Sequence, residues 1–248
     1  MEVLRLMSRY KSVLYSLMSG VFVVLFPILS GFIATICNIS APYVYYLQAG
    51  FMAIPLIVFL IVIKIKKIDC KKMGYGKINW IKRMLFYLPS LLVFIPVAVK
   101  GFEGKDLGSF FGILLLYLMV GIVEEVYYRG VAKHFLDKNF SIMPAIIISS
   151  LIFGLGHTSS FMMSNDVLET LLVVLNALIF GFMATCLLYL TNTIYPLMLI
   201  HFLFDFESKF ILLSGNELFI AEMIRGTFMF IYTLVLLYFI NKKEMIRN

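Results

Sequence analysis

Charged side chains are scarce in this sequence. Only 14% of its 248 residues are Asp, Glu, Lys or Arg, whereas 62% are hydrophobic, and the mean hydropathy is +0.97. Soluble domains have roughly a quarter charged residues and about half apolar ones, so this composition excludes a water-soluble globular protein. It also excludes a disordered chain, because disordered chains contain few aromatic and branched aliphatic residues.

Cysteine is also rare, and several sequence patterns are absent. The three cysteines, Cys37, Cys70 and Cys186, are far apart and include no CxxC pair, which argues against a disulfide framework and a cysteine zinc cluster. Strand-like segments of about ten residues with alternating polarity are missing, which argues against an outer-membrane barrel. No internal repeat or linker divides the sequence, so we expect a single integral membrane domain over residues 1–248.

Long apolar runs are abundant instead. A membrane-spanning helix needs about 20 apolar residues, and several such runs follow one another along the chain. They predict an all-α fold, a polytopic membrane helical bundle with about eight transmembrane helices. The third run contains Pro89 and Pro96, which would kink it. The runs are 12–37, 43–63, 84–99, 109–134, 142–163, 167–190, 193–213 and 219–240.

Basic residues are distributed unevenly between the predicted loops. With the N-terminus in the cytoplasm, 17 of the 21 Lys and Arg residues fall on the cytoplasmic side, including eight in the loop 64–83. The outer side keeps only Lys100, Lys105, Lys209 and Arg225. The positive-inside rule therefore predicts that both termini are cytoplasmic. It also attributes the net charge of +7 to loops beside anionic lipid headgroups rather than to nucleic-acid binding.

Three apolar runs contain polar side chains of the types that enzymes use. A charged side chain in the middle of a membrane helix costs about 2.5–3.5 kcal/mol on insertion scales, so each one needs a reason. The fourth run contains Glu124, Glu125 and Arg129, the fifth contains His157, and the seventh contains His201 and Asp205.

Helical spacing groups these polar residues further. Glu125 and Arg129 are four residues apart and can pair on one helix face, as can His201 and Asp205. Glu124 points about 100° away from Glu125 and gains no partner from its own helix. Two imidazoles with three carboxylates can activate a water, transfer protons or bind a metal. A purely structural role in helix–helix contacts stays open for each histidine and for the Glu–Arg pair.

The ordered set of motifs resembles that of the CPBP intramembrane proteases, formerly called the Abi family. That family holds the CAAX prenyl endopeptidases and bacteriocin-processing or immunity proteins. The motifs here are EExxxR at 124–129, FxxxH at 153–157 and HxxxD at 201–205. The resemblance covers about residues 120–210 and implies a membrane protease whose motif-bearing core lies at about 109–213.

The resemblance implies a role for each motif residue. Glu124 would be the general base that activates water, with His157 helping to hold it. His201 and Asp205 would stabilise the oxyanion of the tetrahedral intermediate, and the charge pair of the fourth run would orient the site. The predicted catalytic residues are Glu124, Glu125, Arg129, His157, His201 and Asp205, and the predicted substrate-binding residues are Phe153 and Tyr128.

A metal-dependent mechanism stays open beside the metal-free one. Two histidines and one carboxylate with a water form an ordinary zinc site. However, the sequence has no HExxH motif, and its two motif histidines lie on different helices. No cofactor is required by the sequence, and zinc is the alternative. Its predicted ligands would be Glu124, His157, His201 and Asp205.

The predicted function is that of an intramembrane endopeptidase acting on a membrane-associated peptide or protein precursor. Abundant Lys, Ile, Phe and Tyr with a single Trp indicate an AT-rich bacterial gene. This favours a bacterial cell membrane and bacteriocin or pheromone peptide processing over CAAX-type cleavage. The expected partners are the precursor and membrane lipid, without nucleic acid, and the oligomeric state is left open.

Two alternatives come from other functional classes. A proton-coupled transporter would use the same buried carboxylates and histidines as a relay. The inverted repeats found in many transporters are not detectable between the halves of this sequence. A non-catalytic, peptide-binding immunity protein would keep the site as a remnant. The presence of all motif residues favours the enzyme.

Overall fold

The computed structural model describes residues 2–76, 83–161 and 166–247. Residues 77–82 of the predicted basic loop, with Lys77 and Lys82, lie outside the described residues, as do 162–165, which include the end of the fifth apolar run. The described chain is helical, with two isolated bridges and no strand. The predicted all-α class is therefore confirmed.

The helices are named here in chain order. They are α1 (Glu2–Ile36), α2 (Tyr43–Lys66), α3 (Ile95–Ala98), α4 (Leu107–Glu124), α5 (Lys133–Leu136), α6 (Ile142–Gly156), α7 (Val167–Thr191), α8 (Tyr195–Glu207) and α9 (Gly215–Arg247). A π-helical segment, Glu125–Ala132, joins α4 to α5, and 3₁₀ turns lie at Cys70–Met73, Pro89–Phe94 and His157–Ser160.

Six helical stretches of the described chain are long and apolar enough to cross a membrane. The predicted count of about eight is not confirmed. Run 84–99 forms only a 3₁₀ turn and α3, because Pro89 and Pro96 each lie in the first two positions of a new short helix. Run 193–213 forms only the 13 residues of α8. The spanning stretches are Leu4–Ile36, Tyr43–Lys66, Leu107–Leu136, Ile142–Ser160, Val167–Thr191 and Gly215–Lys242.

The helix that begins after Asp106 changes its winding at the first motif. The Asp106 carboxylate caps α4 by accepting a hydrogen bond of 2.9 Å from the Ser109 amide. The chain is α-helical to Glu124 and then π-helical over Glu125–Ala132. The sequence predicts one uninterrupted helix here. The wider π turn bonds residue i to i+5, a rare geometry that is frequent at functional sites.

The helices pack around two hydrophobic clusters. One lies among α6, α7, α8 and α9 and includes Tyr128, and the other lies among α1, α2 and α4 and includes Tyr127. Helix α4 also packs against α8. Two consecutive residues of the π-helical segment therefore belong to different clusters. The first motif lies at the boundary between them.

Contacts between loops group the chain ends by membrane face. On one face Ser8 donates a hydrogen bond of 2.7 Å to Asn139, and Arg83 donates one of 3.2 Å to the Thr191 carbonyl. On the other face Lys100 lies 2.5 Å from Glu217. These pairings match the predicted sorting of the loops. Which face is cytoplasmic stays a prediction.

One basic residue does not lie where the charge count places it. Arg225, which the count assigns to the outer side, lies inside the spanning stretch of α9 and is only 1% exposed. The assignment is wrong for this residue, because Arg225 pairs with Glu222 of its own helix and with Glu207 of α8 instead of reaching water. Lys209 remains exposed at a loop.

Candidate active site

Glu125 joins the first and third motifs. Its Oε1 atom lies 2.8 Å from His201 Nδ1 and 3.2 Å from Arg129 Nη1, and its side chain is completely buried. Because a carboxylate only accepts hydrogen bonds, Nδ1 is the donor. This contact fixes the orientation of the His201 ring and leaves Nε2 on the opposite side of the ring without this partner. The sequence predicts the Glu125–Arg129 pair but not the contact with His201.

The other ring nitrogen of His201 faces two more carboxylates. Its Nε2 atom lies 3.8 Å from Glu124 Oε2 and 3.5 Å from Asp205 Oδ2. Both distances are longer than a typical N–H···O hydrogen bond, which measures roughly 2.7–3.2 Å. Nε2 therefore makes no direct hydrogen bond to either carboxylate, and each of these distances is one that a single bridging water can span. Three predicted catalytic residues meet there.

Arg129 lies on the aromatic side of this cluster. Its guanidinium carbon is 3.9 Å from the centre of the Phe153 ring and 5.7 Å from that of Phe180. Its side chain is fully buried, and within the described chain its nitrogens make an ion pair with Glu125 but no hydrogen bond. A cation–π contact in a desolvated place contributes about 2 kcal/mol. Phe153 thus packs against Arg129, the ion-pair partner of Glu125.

His157 lies beside this cluster but does not contact a carboxylate. Its Nδ1 atom donates a hydrogen bond of 2.9 Å to the Phe153 carbonyl, which leaves Nε2 as the acceptor of the neutral ring. Its ring centre is 4.6 Å from that of Phe153, which also lies 5.6 Å from the His201 ring. Among the described residues, His157 forms no ion pair. Phe153 therefore packs against both histidine rings.

The predicted substrate-binding residues, Phe153 and Tyr128, are both buried and meet edge to face at 4.9 Å. Tyr128 also lines a groove of about 450 Å³ between α1 and α6. Gly20 and Gly156 border its ring, because a Cβ on Gly156 would lie 2.6 Å from the Tyr128 hydroxyl. Tyr128 thus lies between the groove and Phe153. Contact of either residue with a substrate stays a prediction.

Glycines set the helix spacing around the motifs. Gly154 and Gly156 lie inside the FxxxH motif, and a Cβ on Gly154 would lie 3.0 Å from Leu178 of α7. A third glycine lies at the contact between α4 and α8. A Cβ on Gly121 would lie 2.7 Å from the Phe202 amide and 2.9 Å from the Met198 carbonyl. Gly121 therefore lets the backbones of α4 and α8 touch, one turn before Glu125.

Several buried polar atoms of the cluster have no hydrogen-bond partner within the described chain. They are Oε2 of Glu124, Oε2 of Glu125 and the guanidinium nitrogens of Arg129. Buried polar groups without a partner are rare, since each costs about 1–3 kcal/mol. Their concentration at one place is typical of a site that binds water or a polar ligand.

The four predicted zinc ligands do not converge as a ligand group. In the part of the chain that the structure describes, no three His, Cys, Asp or Glu side chains are arranged as a metal site. His201 uses Nδ1 for Glu125, and only its Nε2 faces Glu124 and Asp205. The donor geometry thus gives no support to a preformed zinc site. The metal requirement stays a prediction.

The fold and this cluster define an all-helical integral membrane protein with a buried carboxylate–imidazole site. Residues 106–206 match the family model described as type II CAAX prenyl endopeptidase Rce1-like. A domain of that protease family is therefore present here, and the resemblance to the CPBP family is confirmed. All three motifs lie inside the match. No curated protein and no solved structure matches the chain.

Proposed function

We propose that the protein is an intramembrane endopeptidase that hydrolyses a peptide bond of a membrane-associated precursor. The observation that carries the proposal is the gap between His201 Nε2 and Glu124 Oε2, which are 3.8 Å apart. The Glu124 oxygen is buried and has no hydrogen-bond partner within the described chain. A water in this gap would contact a base and a donor together. The family match supports a protease.

The proposed reaction uses side chains of this chain alone. Glu124 takes a proton from the water, whose oxygen then forms a bond to the carbon of the scissile carbonyl. His201, held as an imidazolium by Glu125 and Asp205, donates Nε2–H to the developing oxyanion. Glu124 passes its proton to the leaving nitrogen as the C–N bond breaks. The products are a carboxylic acid and an amine.

Three further residues support these steps. Neutral His157 can accept a hydrogen from the same water through Nε2, since its Nδ1 already donates to the Phe153 carbonyl. Glu125 orients His201, and Arg129 balances the charge of Glu125. None of these roles requires a Ser or Cys nucleophile. No step of the reaction passes through a metal.

We propose a peptide precursor in a bacterial membrane as the substrate class. The composition of the sequence supports a bacterial gene, and bacteriocin or pheromone precursors are the family-implied substrates there. The name of the matched family points instead to cleavage near a prenylated C-terminus. Both substrate types are associated with the membrane, through an apolar peptide segment in the first and a prenyl chain in the second.

The test compares purified wild-type protein with Glu124→Gln on candidate precursors by mass spectrometry. The amide of Gln cannot take a proton from water, so we expect cleavage to fall by about 100- to 10,000-fold. Glu169→Gln is the matched control, because Glu169 is exposed at the start of α7. Near-normal turnover by Glu124→Gln would show that Glu124 is not the general base.

A further inference from the structure

A second buried charge cluster lies away from the candidate active site. Arg225 of α9 pairs with Glu222 at 2.8 Å and with Glu207 at the end of α8. Its Nε atom donates a hydrogen bond of 3.1 Å to the Val93 carbonyl. Asn176 of α7 donates one of 2.8 Å to the other oxygen of Glu222. These contacts join three helices and the 3₁₀ turn Pro89–Phe94. The proposed reaction uses none of these side chains.

A row of contacting phenylalanine rings connects the two arginine clusters. Arg225 lies 3.9 Å from the Phe204 ring, as Arg129 does from Phe153. Phe180 stands between these rings, with centres 5.5 Å from Phe204 and 6.1 Å from Phe153. The His201 ring packs against Phe180 at 5.1 Å. Arg225 and His201 are thus linked by packed aromatic side chains.

Helix α8 needs external support because of its length. Its 13 residues extend about 20 Å, less than the hydrocarbon thickness of about 30 Å. At its start the Ile194 amide donates a hydrogen bond of 3.0 Å to the Gly74 carbonyl. At its end Glu207 contacts Arg225. The helix that carries His201 and Asp205 is therefore tethered at both ends.

We propose that Arg225, Glu207 and Glu222 form a positioning cluster that sets the rotation and depth of α8 against α9. This inference rests on the proposed function. A shift of one residue along α8 would turn His201 by about 100° and move it by about 1.5 Å. Either change would separate Nε2 from Glu124. These residues touch no reacting atom, so they position rather than catalyse.

Arginine suits this role because its planar guanidinium can contact several partners at once. Arg225 contacts two carboxylates and a carbonyl, each from a different direction, while its face lies on Phe204. A lysine has a single ammonium on a flexible stem and cannot reproduce this arrangement. Of these partners only Glu207 belongs to α8, while Glu222 and the Val93 carbonyl hold the guanidinium in place. The Arg225–Glu207 contact therefore specifies one register of α8, which nonpolar packing alone would not.

The test measures hydrogen exchange and kinetics in the detergent-solubilised full chain. For Arg225→Met we expect faster amide exchange over residues 195–207, because the end of α8 loses its tether. On a precursor that the wild type cleaves, kcat should fall by about 100-fold while KM stays unchanged, since misplacement affects the transition state. Glu217→Gln, which removes an exposed ion pair of the same helix, should change neither.

A second variant separates positioning from stability. Replacing buried ion clusters by neutral groups often preserves stability, so Arg225→Met/Glu207→Gln/Glu222→Gln should accumulate like the wild type. Positioning predicts that its kcat stays low and its α8 exchange stays fast. Wild-type kcat and exchange in this variant would overturn the inference.

Two outcomes need separate interpretation. If Arg225→Met fails to accumulate, Arg225→Lys replaces it, and wild-type exchange and kcat in that variant would also overturn the inference. Fast exchange over 195–207 in a protein whose wild type cleaves no precursor would support the tether and contradict the proposed function. The exchange readout requires no substrate, so the two failures are distinguishable.

Discussion

The Glu125 carboxylate lies 2.8 Å from His201 Nδ1 and joins two motifs that are 76 residues apart in sequence. The same oxygen lies 3.2 Å from Arg129. One buried carboxylate thus orients the imidazole and balances the guanidinium. A carboxylate that accepts a hydrogen bond from one ring nitrogen fixes the orientation and tautomer of a histidine. The stability of the site and its chemistry are therefore coupled through Glu125.

Arg129→Ala should lower the amount of folded protein as well as the activity. It leaves Glu125 buried beside His201 alone, and removing one partner of a buried pair costs about 3–5 kcal/mol. The measurement is the yield of monodisperse protein and its thermal midpoint in detergent. Arg5→Ala is the control, because Arg5 is exposed in α1. An unchanged midpoint for Arg129→Ala would mean that the pair contributes little to stability.

Gly121→Ala should separate α4 from α8. The added Cβ would lie 2.7 Å from the Phe202 backbone nitrogen, and backbone cannot move aside as a flexible side chain does. Overpacking of this kind costs about 1–3 kcal/mol, and we expect a lower thermal midpoint together with reduced turnover. Gly50→Ala in α2 is the matched control, since nothing lies within 4 Å of its Cβ position. Equal behaviour of the two variants would contradict the close-approach argument.

Asp205→Asn should distinguish the metal-free reaction from a metal-dependent one. In the metal-free reaction Glu125 still holds His201, and an amide at position 205 can itself donate to the oxyanion, so substantial activity should remain and resist chelators. In a zinc site the variant should lose metal and activity together, and excess zinc should restore part of both. Chelator-sensitive wild-type activity with stoichiometric bound metal would refute the metal-free reaction.

The native cysteines test the predicted orientation. Cys37 is exposed in the predicted outer loop after α1, Cys70 lies in the predicted inner loop, and Cys186 is buried. A membrane-impermeant maleimide should therefore label Cys37 in intact cells and Cys70 only after permeabilisation. Cys37→Ser and Cys70→Ser identify the labelled position. Labelling of Cys70 from outside would invert the topology.

Local helical spacing was sufficient to predict part of the site. The Glu125–Arg129 pair and the approach of Asp205 to His201 both follow from residues four apart on one helix, and both occur. Composition likewise predicts the all-α class. These features depend on one helix at a time. They do not depend on how helices are arranged around each other.

Contacts between helices could not be predicted from spacing. Nothing in the sequence indicates that Glu125 reaches His201, or that Gly121 meets Phe202. Hydropathy also extends past the true end of α8, because residues 210–213 are apolar although the helix has ended at Glu207. Charge counting misplaced Arg225, yet its spacing of three from Glu222 within an apolar run was a detectable signal for a buried pair.

The shortness of α8 predicts a part for the surrounding bilayer in the proposed reaction. Leu199 on this 13-residue helix is 57% exposed, so α8 presents an apolar side chain on the outside of the described bundle. Lipid beside a short helix thins, or water enters along it, at a cost that grows with acyl-chain length. The proposed hydrolysis consumes one water per bond, and Leu199 is two residues from His201 on α8. We therefore expect turnover in the proposed reaction to depend on the acyl-chain length of the host membrane, with thinner bilayers favouring the supply of water.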